Sequence, residues 1–220
     1  MSGLQIRRVD YLNAQDAEAL VFLLDAYAQD PMGGGTGLSE AVKSRVCVDL
    51  AQHPGATSFI AWLGAGESAQ AIGLINCFEG YSTFKARPLL NIHDMAVLPS
   101  HRGQGVGQAL LAAAQAHALA RGCCKLTLEV LTGNATALAS YQRFGFEAYA
   151  LDPAAGQLGN SPDDFHTILA WGHDDCRGSY QRLRGGGGFL PGGDACRSNH
   201  RTAGHFSDKI TSLHESIDTA

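Results

Sequence analysis

The sequence predicts a mixed α/β fold in which helices flank one central β-sheet. Two observations support this prediction. Residues 57–64 and 69–84 are strand-like stretches separated only by a turn-rich sequence, which favours antiparallel neighbours. Between residues 88 and 151, strand-like and helix-like stretches alternate, and this βαβα order indicates parallel neighbours. A sheet that contains both kinds of pairing is therefore expected.

The first half of the chain opens with one strand and two helices. Residues 4–11 (LQIRRVDY) alternate apolar and polar side chains, as a half-buried strand does. Residues 13–30 place apolar side chains at helical spacing and end before Pro31. After the loop MGGGTG, residues 38–53 predict a second amphipathic helix that Ser39 caps. The two strands at residues 57–64 and 69–84 follow.

The second half alternates strands with helices. Residues 88–99 (PLLNIHDMAVLP) predict a long, mostly buried strand that Pro99 closes. An alanine- and leucine-rich helix follows the glycines at 103–107. Further elements are predicted as a strand at 125–130, a helix at 134–144 and a strand at 146–151. Residues 166–172 (HTILAWG) either supply one last strand after a long loop or begin a segment foreign to the domain.

Composition narrows the class of protein. The chain has 220 residues, 45% of them hydrophobic, and a formal net charge of -5, which argues against a general nucleic-acid binder. The apolar stretches are too short to cross a bilayer, and the N-terminal sequence lacks the pattern of a signal peptide. Six cysteines without a CxxC pair favour a reduced, cytoplasmic protein. Nine histidines without metal-ligand spacing give no reason to expect a metal.

The chain divides into a predicted domain at residues 1–172 and an extension at residues 173–220. The extension is rich in glycine and polar residues and shows no alternation, which predicts flexibility. Within it, residues 206–217 place four apolar side chains on one helical face. That face indicates either a marginal terminal helix or a helix that binds a partner.

Three glycines stand where a helix is predicted to begin: Gly103, Gly105 and Gly107. A helix N-terminus exposes unpaired N–H groups and the positive end of the helix dipole, and glycine lets an anion approach the main chain. A Walker loop is excluded because no Gly-Lys-Ser/Thr tripeptide occurs. A dinucleotide fingerprint is excluded because Gln108 stands where the third glycine belongs.

The sequence RGQGVG, residues 102–107, fits the pattern Arg/Gln-x-x-Gly-x-Gly/Ala without a mismatch. Together with LEVLTGNATALASYQRFGF further on, it resembles the GNAT superfamily of acyl-CoA-dependent N-acyltransferases. The resemblance covers residues 4 to 152 and is closest from 88 to 150. It implies a GNAT-like fold, acetyl-CoA as the acyl donor and no metal.

The resemblance also implies where acetyl-CoA binds. The strand that ends at Val97 pairs its main chain with the pantetheine arm, and the Val97 N–H donates to the thioester carbonyl. The glycine loop holds the pyrophosphate, and Asn134 caps the next helix and reaches the pantetheine. The implied cofactor-binding residues are Met95, Ala96, Val97, Arg102, Gly103, Gln104, Gly105, Val106, Gly107, Gln108 and Asn134.

Tyr141 is the candidate general acid. It follows Asn134 by about two helical turns, so both side chains can face the cofactor. A tyrosine with a pKa near 10 stays protonated at neutral pH and can protonate a departing thiolate. The alternative is a buried aromatic side chain that only packs the helix.

The general base has several candidates. Glu129 aligns with the glutamate proposed as base in the ribosomal-protein alanine acetyltransferases, and a strand-end carboxylate in a salt bridge is the alternative. His93 and Asp94 lie next to the cofactor strand, and strict alternation would place them on opposite faces of the sheet. Asp94 can instead hold a cationic acceptor, and Glu79 is a weaker candidate for that task.

The predicted function is transfer of an acetyl group from acetyl-CoA to a primary amine, of a small molecule or a protein N-terminus, by direct attack in a ternary complex. A non-catalytic module that senses acyl-CoA is the alternative from another class. A third class, an interaction protein, rests only on residues 206–217. The predicted partners are acetyl-CoA, an amine acceptor and a second copy of the chain in a homodimer, with neither nucleic acid nor membrane.

Overall fold

A computed structural model describes residues 3–131, 133–148 and 166–172. In this part of the chain, the strands are β1 (Leu4–Arg8), β2 (Ala56–Leu63), β3 (Gln70–Ser82), β4 (Arg87–Val97), β5 (Lys125–Leu131), β6 (Glu147–Ala148) and β7 (His166–Gly172). The α-helices are α1 (Ala14–Gln29), α2 (Glu40–Lys43), α3 (Val46–Gln52), α4 (Val106–Ala120) and α5 (Ala135–Phe144).

The seven described strands form one mixed sheet in the order β1-β2-β3-β4-β5-β7-β6. The pair β4–β5 is parallel, and the other neighbouring strands are antiparallel. The predicted mixed α/β sheet is confirmed. Strand β7 lies between β5 and β6, so residues 166–172 belong to the sheet rather than to a foreign segment.

Each face of the sheet carries its own apolar core. One face, called here the α1 face, packs Leu20 and Leu23 of α1 and Cys47 of α3 against Ile60 and Leu74. The opposite face, called the α4 face, carries α4 and α5 over the apolar side chains of β3, β4 and β5. Its fully buried side chains include Ile75, Leu90, Leu110, Leu111, Leu126, Leu128 and Phe146. Because both faces are covered, the central strands are apolar over most of their length.

Strands β4 and β5 separate halfway along their length. Leu90–Ile92 pair with Leu126–Leu128, and no pairing follows. Strand β4 stays paired with β3 as far as Val97, which opposes Gly73. The last five residues of β4 therefore expose one main-chain edge to a gap within the sheet.

A β-bulge lies at the point where the gap opens. Asn76 opposes Asp94 and Cys77 opposes Ile92, so His93 is an extra residue on β4. The His93 ring contacts Phe78 at 5.5 Å between centroids, and Asp94 accepts a hydrogen bond from Asn76. Since Phe78 and Asn76 are two residues apart on β3, both β4 side chains lie on the α1 face. The prediction that His93 and Asp94 lie on opposite faces is wrong, because the bulge interrupts the alternation.

Residues 38–53 form two short helices instead of the single predicted helix. Ser39 caps α2 as predicted, by accepting a hydrogen bond from the Val42 N–H. The helix breaks at Ser44–Arg45, and Lys43 before the break pairs with Asp25 at 3.2 Å. Helix α2 buries no residue, whereas α3 buries Cys47 in the core on the α1 face. The predicted extension at 173–220 and its helix at 206–217 lie outside the described residues and stay predictions.

Candidate active site

Three glycines at the start of α4 adopt the geometry that an anion site needs. Gly103 and Gly105 have φ of 73° and 84°, a left-handed backbone that other residues adopt only with strain. Gly105 is the N-cap of α4 and offers no side chain to the free N–H groups of the first turn. At Gly107 glycine is favoured by space rather than by backbone conformation, because a Cβ there would lie 3.0 Å from the Met95 Cε.

The N–H groups of Val106, Gly107 and Gln108 have no acceptor among the described residues. They point out of the N-terminus of a fifteen-residue helix, where the helix dipole is positive. This arrangement can hold phosphate oxygens through main-chain donors alone.

A cleft of about 510 Å³ extends from these donors to the gap between β4 and β5. All the predicted cofactor-binding residues except Gln104 line it, and so does Tyr141. The Gln104 side chain turns away and donates to the Ser100 carbonyl at 2.9 Å. Further lining residues that sequence reasoning missed are Tyr27, Asp30, Met32, His101, Gly133, Ala135, Thr136, Ala137, Ser140 and Arg143.

The Val97 N–H points into the gap. The Leu98 N–H donates to the Ile72 carbonyl at 2.9 Å, and successive N–H groups of a strand point to opposite edges. Strand β5 provides no partner this far along β4. A free main-chain donor at Val97 therefore faces the cleft, as the predicted contact with a thioester carbonyl requires.

Arg102 connects the glycine loop to the end of α1. Its guanidinium donates to the Val97 carbonyl at 2.9 Å and to an Asp30 carboxylate oxygen at 2.7 Å. The Arg102 guanidinium lowers the pKa of the Asp30 carboxyl, and the Met32 N–H, which Asp30 also accepts, lowers it further. Sequence reasoning missed Asp30 because its partner lies 72 residues away. In this structure Arg102 positions the loop and the strand end.

Asn134 caps α5, as predicted. Its side-chain oxygen accepts the Ala137 N–H at 3.1 Å, and the residue also lines the cleft. Position 134 thus combines a structural task with a place at the site.

We expect Asn134→Ala to lower the free energy of unfolding by about 1 kcal/mol, because one N–H of the first turn of α5 loses its acceptor. Urea denaturation measures this loss, and Asn134→Ser, which retains a capping oxygen, is the matched control. Equal stability of the Ala and Ser variants would contradict the capping role. Calorimetry with CoA on the same proteins separates the cap from a contact with the pantetheine.

Tyr141 lies on α5 and is 9% exposed, and its ring packs against Phe146 at 5.9 Å between ring centroids. Its hydroxyl has no hydrogen-bond partner among the described residues, while the residue lines the cleft. Burial raises the pKa of Tyr141 to about 12, and the nearby Tyr27 contributes to the increase. The hydroxyl therefore stays protonated throughout the neutral and moderately alkaline range.

Tyr27 is a second phenol of the cleft, contributed by α1. Burial raises its pKa first, and the negative charges of Asp94 and Asp30 raise it further. Tyr27 thus lies within electrostatic range of both Tyr141 and Asp94. A tyrosine in the last two turns of an amphipathic helix gives no sequence signal for such a position.

Neither predicted carboxylate lines the cleft itself. Asp94 lies on the α1 face at the bulge, where it accepts from the Asn76 amide at 3.0 Å. Glu129 is exposed on β5, and alternation places it on the same face, opposite to the buried Leu128 and Val130. The two carboxylates flank the gap from the α1 face, while Tyr141 and the glycine loop belong to the α4 face.

Two further candidates, Glu79 and His93, do not line the cleft either. Glu79 forms a salt bridge with Arg121 at 2.9 Å, and this guanidinium lowers the pKa of the Glu79 carboxyl. It faces the α4 side, so its carboxylate does not flank the gap with Asp94 and is occupied by Arg121. His93 is exposed and packs edge-on against Phe78.

A strand pair that separates beside a glycine-capped helix defines a class of site: one that can hold a phosphate-bearing ligand between strand and helix. The sequence model of the acetyltransferase (GNAT) family matches residues 21–146, more than half of the chain. The chain therefore belongs to the GNAT acetyltransferase family.

One curated relative and two solved structures illustrate the similarity. The streptothricin acetyltransferase of Streptomyces lavendulae is 40% identical over 88 residues, which are 40% of this chain and 45% of that protein. The chain thus spans less than half the length of this relative. The NatC complex bound to Gag peptide and CoA superposes with a TM-score of 0.58 at 19% identity, over 78% of this chain and 99% of that one. An aminoglycoside N-acetyltransferase, AAC(6')-Iy in complex with CoA, gives 0.54 at 23% identity, over 68% and 91%.

Two properties of the described residues bear on other kinds of function. No helix in that part of the chain is both long and apolar enough to cross a membrane. Nor do the described residues contain a group of three or more His, Cys, Asp or Glu side chains placed to hold a metal ion.

Proposed function

We propose that this protein transfers an acetyl group from acetyl-CoA to a primary amine, of a small molecule or a protein N-terminus, by direct attack in a ternary complex. The observation that carries the proposal is the cleft. It joins free N–H donors at the start of α4 to a separated strand edge and an unpartnered tyrosine hydroxyl. The similarity to a streptothricin acetyltransferase, by that protein's name, supports transfer of an acetyl group.

Acetyl-CoA fits the cleft with its charged and reactive parts at opposite ends. The pyrophosphate lies on the N–H groups of Val106, Gly107 and Gln108, where the helix dipole favours negative charge. The pantetheine arm runs along the free edge of β4, and the Val97 N–H polarises the thioester carbonyl. One such donor lowers the barrier by roughly 3 kcal/mol when it is aimed at the developing oxyanion.

The acceptor amine approaches from the α1 face, where Asp94 and Glu129 flank the gap. This side is open to a cation, because neither carboxylate has a salt-bridge partner in the described part of the chain. An aliphatic amine with a pKa near 10 arrives as an ammonium ion and must lose a proton before it attacks. A carboxylate beside the gap can bind the ammonium and pass its proton to water.

The transfer balances without a further reagent. The neutral amine nitrogen forms a bond to the thioester carbon, and the carbon–sulfur bond breaks with its electron pair on sulfur. The nitrogen, positively charged after the attack, loses one proton to water and becomes the amide nitrogen. Tyr141 donates its proton to this thiolate and regains one from solvent. The products are the N-acetyl amine, free CoA and one released proton.

The raised pKa of Tyr141 limits how early it can act. A thiolate with a pKa near 8.5 is a weak base towards a phenol whose pKa is about 12. Desolvation in the cleft also raises the pKa of the CoA thiol. The pKa values of this thiol and of Tyr141 are then closer together. Tyr141 therefore serves first as a hydrogen-bond donor to the departing sulfur, and the proton follows.

Free thiol release tests the proposal. The purified protein is incubated with acetyl-CoA and, in turn, streptothricin, sisomicin, spermidine, lysine and a short peptide with a free α-amine. We expect one class of amine to accelerate thiol release at least tenfold over buffer. CoA binding in calorimetry without acceleration by any amine would favour an acyl-CoA sensor instead.

We expect Asp94→Asn to lower kcat/KM for the amine more than Glu129→Gln, because Asp94 belongs to a buried hydrogen-bonded network and Glu129 is exposed. A loss of 10²-fold or more is typical for a general base. Steady-state rates with the best amine measure both variants, and the KM for acetyl-CoA is the internal control. A larger loss in Glu129→Gln would assign the base to Glu129.

A further inference from the structure

A line of polar side chains crosses the sheet beneath α1 and ends at Asp94. It consists of Tyr11, Ser58, Asn76 and Asp94 and is called here the polar network. Ser58 and Asn76 are 1% and 3% exposed, on strands whose other side chains on this face are apolar. A buried polar group costs free energy unless it is hydrogen-bonded, so such a line within an apolar core calls for a function.

Every hydrogen bond of the polar network has a fixed direction. Ser58 donates to the Asn76 carbonyl oxygen at 2.6 Å, and the Asn76 amide donates to an Asp94 carboxylate oxygen at 3.0 Å. Since the single hydroxyl proton of Ser58 is used, the Tyr11 hydroxyl is the donor in its 2.9 Å contact with Ser58. Flipping the Asn76 amide would direct its carbonyl oxygen at the carboxylate, which is repulsive while Asp94 is charged.

Among the described residues, Asp94 has one oxygen without a hydrogen bond and no cationic partner. Three other half-buried carboxylates, Asp25, Asp30 and Glu79, each pair with a lysine or an arginine. In the described part of the chain Asp94 has no such partner, and its second oxygen, Oδ1, accepts no hydrogen bond. The groups that sense its charge are Tyr27 on α1 and Cys77 on β3, both with raised pKa values and both neutral at pH 7.

Asp94 adjoins the strand end that lines the cleft, because Met95, Ala96 and Val97 follow it on β4. Tyr27 also lines the cleft, and its pKa is raised mainly by burial and further by the charge of Asp94. The bulge at His93 turns Asp94 onto the same face as Asn76, directly where β4 leaves β5. One carboxylate oxygen is thus fixed by protein, and the other is available to a cation that enters the gap.

We propose that Asn76 is a positioning residue: with Ser58 and Tyr11 behind it, it orients the Asp94 carboxylate to receive the ammonium group of the acceptor. This inference rests on the proposed function and deepens it by naming how the acceptor is held. The acceptor is accordingly a cationic amine that binds on the α1 face, whereas acetyl-CoA binds from the α4 face.

Two substitutions disturb the polar network at different points. Ser58→Ala removes the donor that fixes the Asn76 amide, and we expect kcat/KM for the amine to fall three- to tenfold. Asn76→Asp replaces the donor by a second carboxyl beside Asp94, and we expect a loss of tenfold or more. In Asn76→Asp the acidic limb of the pH profile should move to higher pH, because two adjacent carboxyls cannot both ionise easily. The KM for acetyl-CoA should stay unchanged in both.

Matched variants separate positioning from stability. Ser58→Thr retains the hydroxyl and should restore the wild-type kcat/KM. Thr57→Val removes the neighbouring buried hydroxyl, which faces the other side and contacts His117 at 3.4 Å, and should leave the amine kinetics unchanged. Melting curves identify variants that fail to fold.

The outcomes distinguish this inference from the proposed function. Wild-type amine kinetics and pH profile in folded Ser58→Ala and Asn76→Asp proteins would overturn the inference, as would equal losses for amine and acetyl-CoA. If the wild type releases no thiol with any amine, the proposed function fails. The inference is then decided by calorimetry of spermidine with the CoA-bound protein. Weaker binding by Ser58→Ala but not by Thr57→Val supports it, and equal binding or no binding overturns it.

Discussion

Replacing Gly105 with glutamate is expected to weaken CoA binding by roughly 10²–10³-fold. The new carboxylate would lie where the pyrophosphate meets the start of α4. Two unit charges about 4 Å apart at a protein surface repel by about 4 kcal/mol, which gives this factor. Isothermal titration of CoA into the variant and the wild type measures the change.

Two controls separate charge from backbone strain. Gly105→Ala has the same unfavourable φ but no charge, and it should lose far less CoA affinity than the glutamate variant. Gly122→Glu adds the same side chain at φ of 70° into open space, at the far end of α4 about 22 Å away. It should bind CoA like the wild type. Wild-type CoA affinity in Gly105→Glu would show that the pyrophosphate does not bind to this loop.

Replacing Tyr141 with phenylalanine is expected to lower kcat by about 10²–10⁴-fold, the range for a lost general acid. Stability should change little, because the ring still packs against Phe146 and the lost hydroxyl has no partner among the described residues. CoA affinity should also persist, since the phosphate contacts lie on α4. Steady-state rates, melting curves and CoA titrations measure the three quantities.

The second phenol of the cleft provides the comparison for this result. Tyr27→Phe removes a hydroxyl from the opposite wall and should reduce kcat less than Tyr141→Phe does. A larger loss of kcat in Tyr27→Phe would identify Tyr27, rather than Tyr141, as the general acid. Because the pKa of Tyr141 is about 12, the kcat/KM profile between pH 6 and 10 should report the amine and its base only. Full activity in a folded Tyr141→Phe protein would leave Tyr141 a packing residue.

The sequence by itself predicted the features that depend on neighbouring residues. The glycine loop is local, because φ at Gly103 and Gly105 and the free donors of α4 follow from six consecutive residues. The caps at Ser39 and Asn134 are local for the same reason, and both are confirmed. The mixed sheet was predicted from the order of strands and helices. Connections between elements are short and of one hand, so a given order is compatible with few topologies.

Only the tertiary structure decided what depends on register between distant strands. The bulge that brings His93 and Asp94 to one face is a mismatch of one residue between β3 and β4. The pattern of apolar and polar residues in the sequence does not predict it. Asn76, a lone amide in an apolar strand, was the one available signal for the polar network, but its partners are 18 residues away on either side. The ion pair between Asp30 and Arg102 and the position of residues 166–172 between β5 and β6 are further examples. Both depend on packing between residues that are far apart in the sequence.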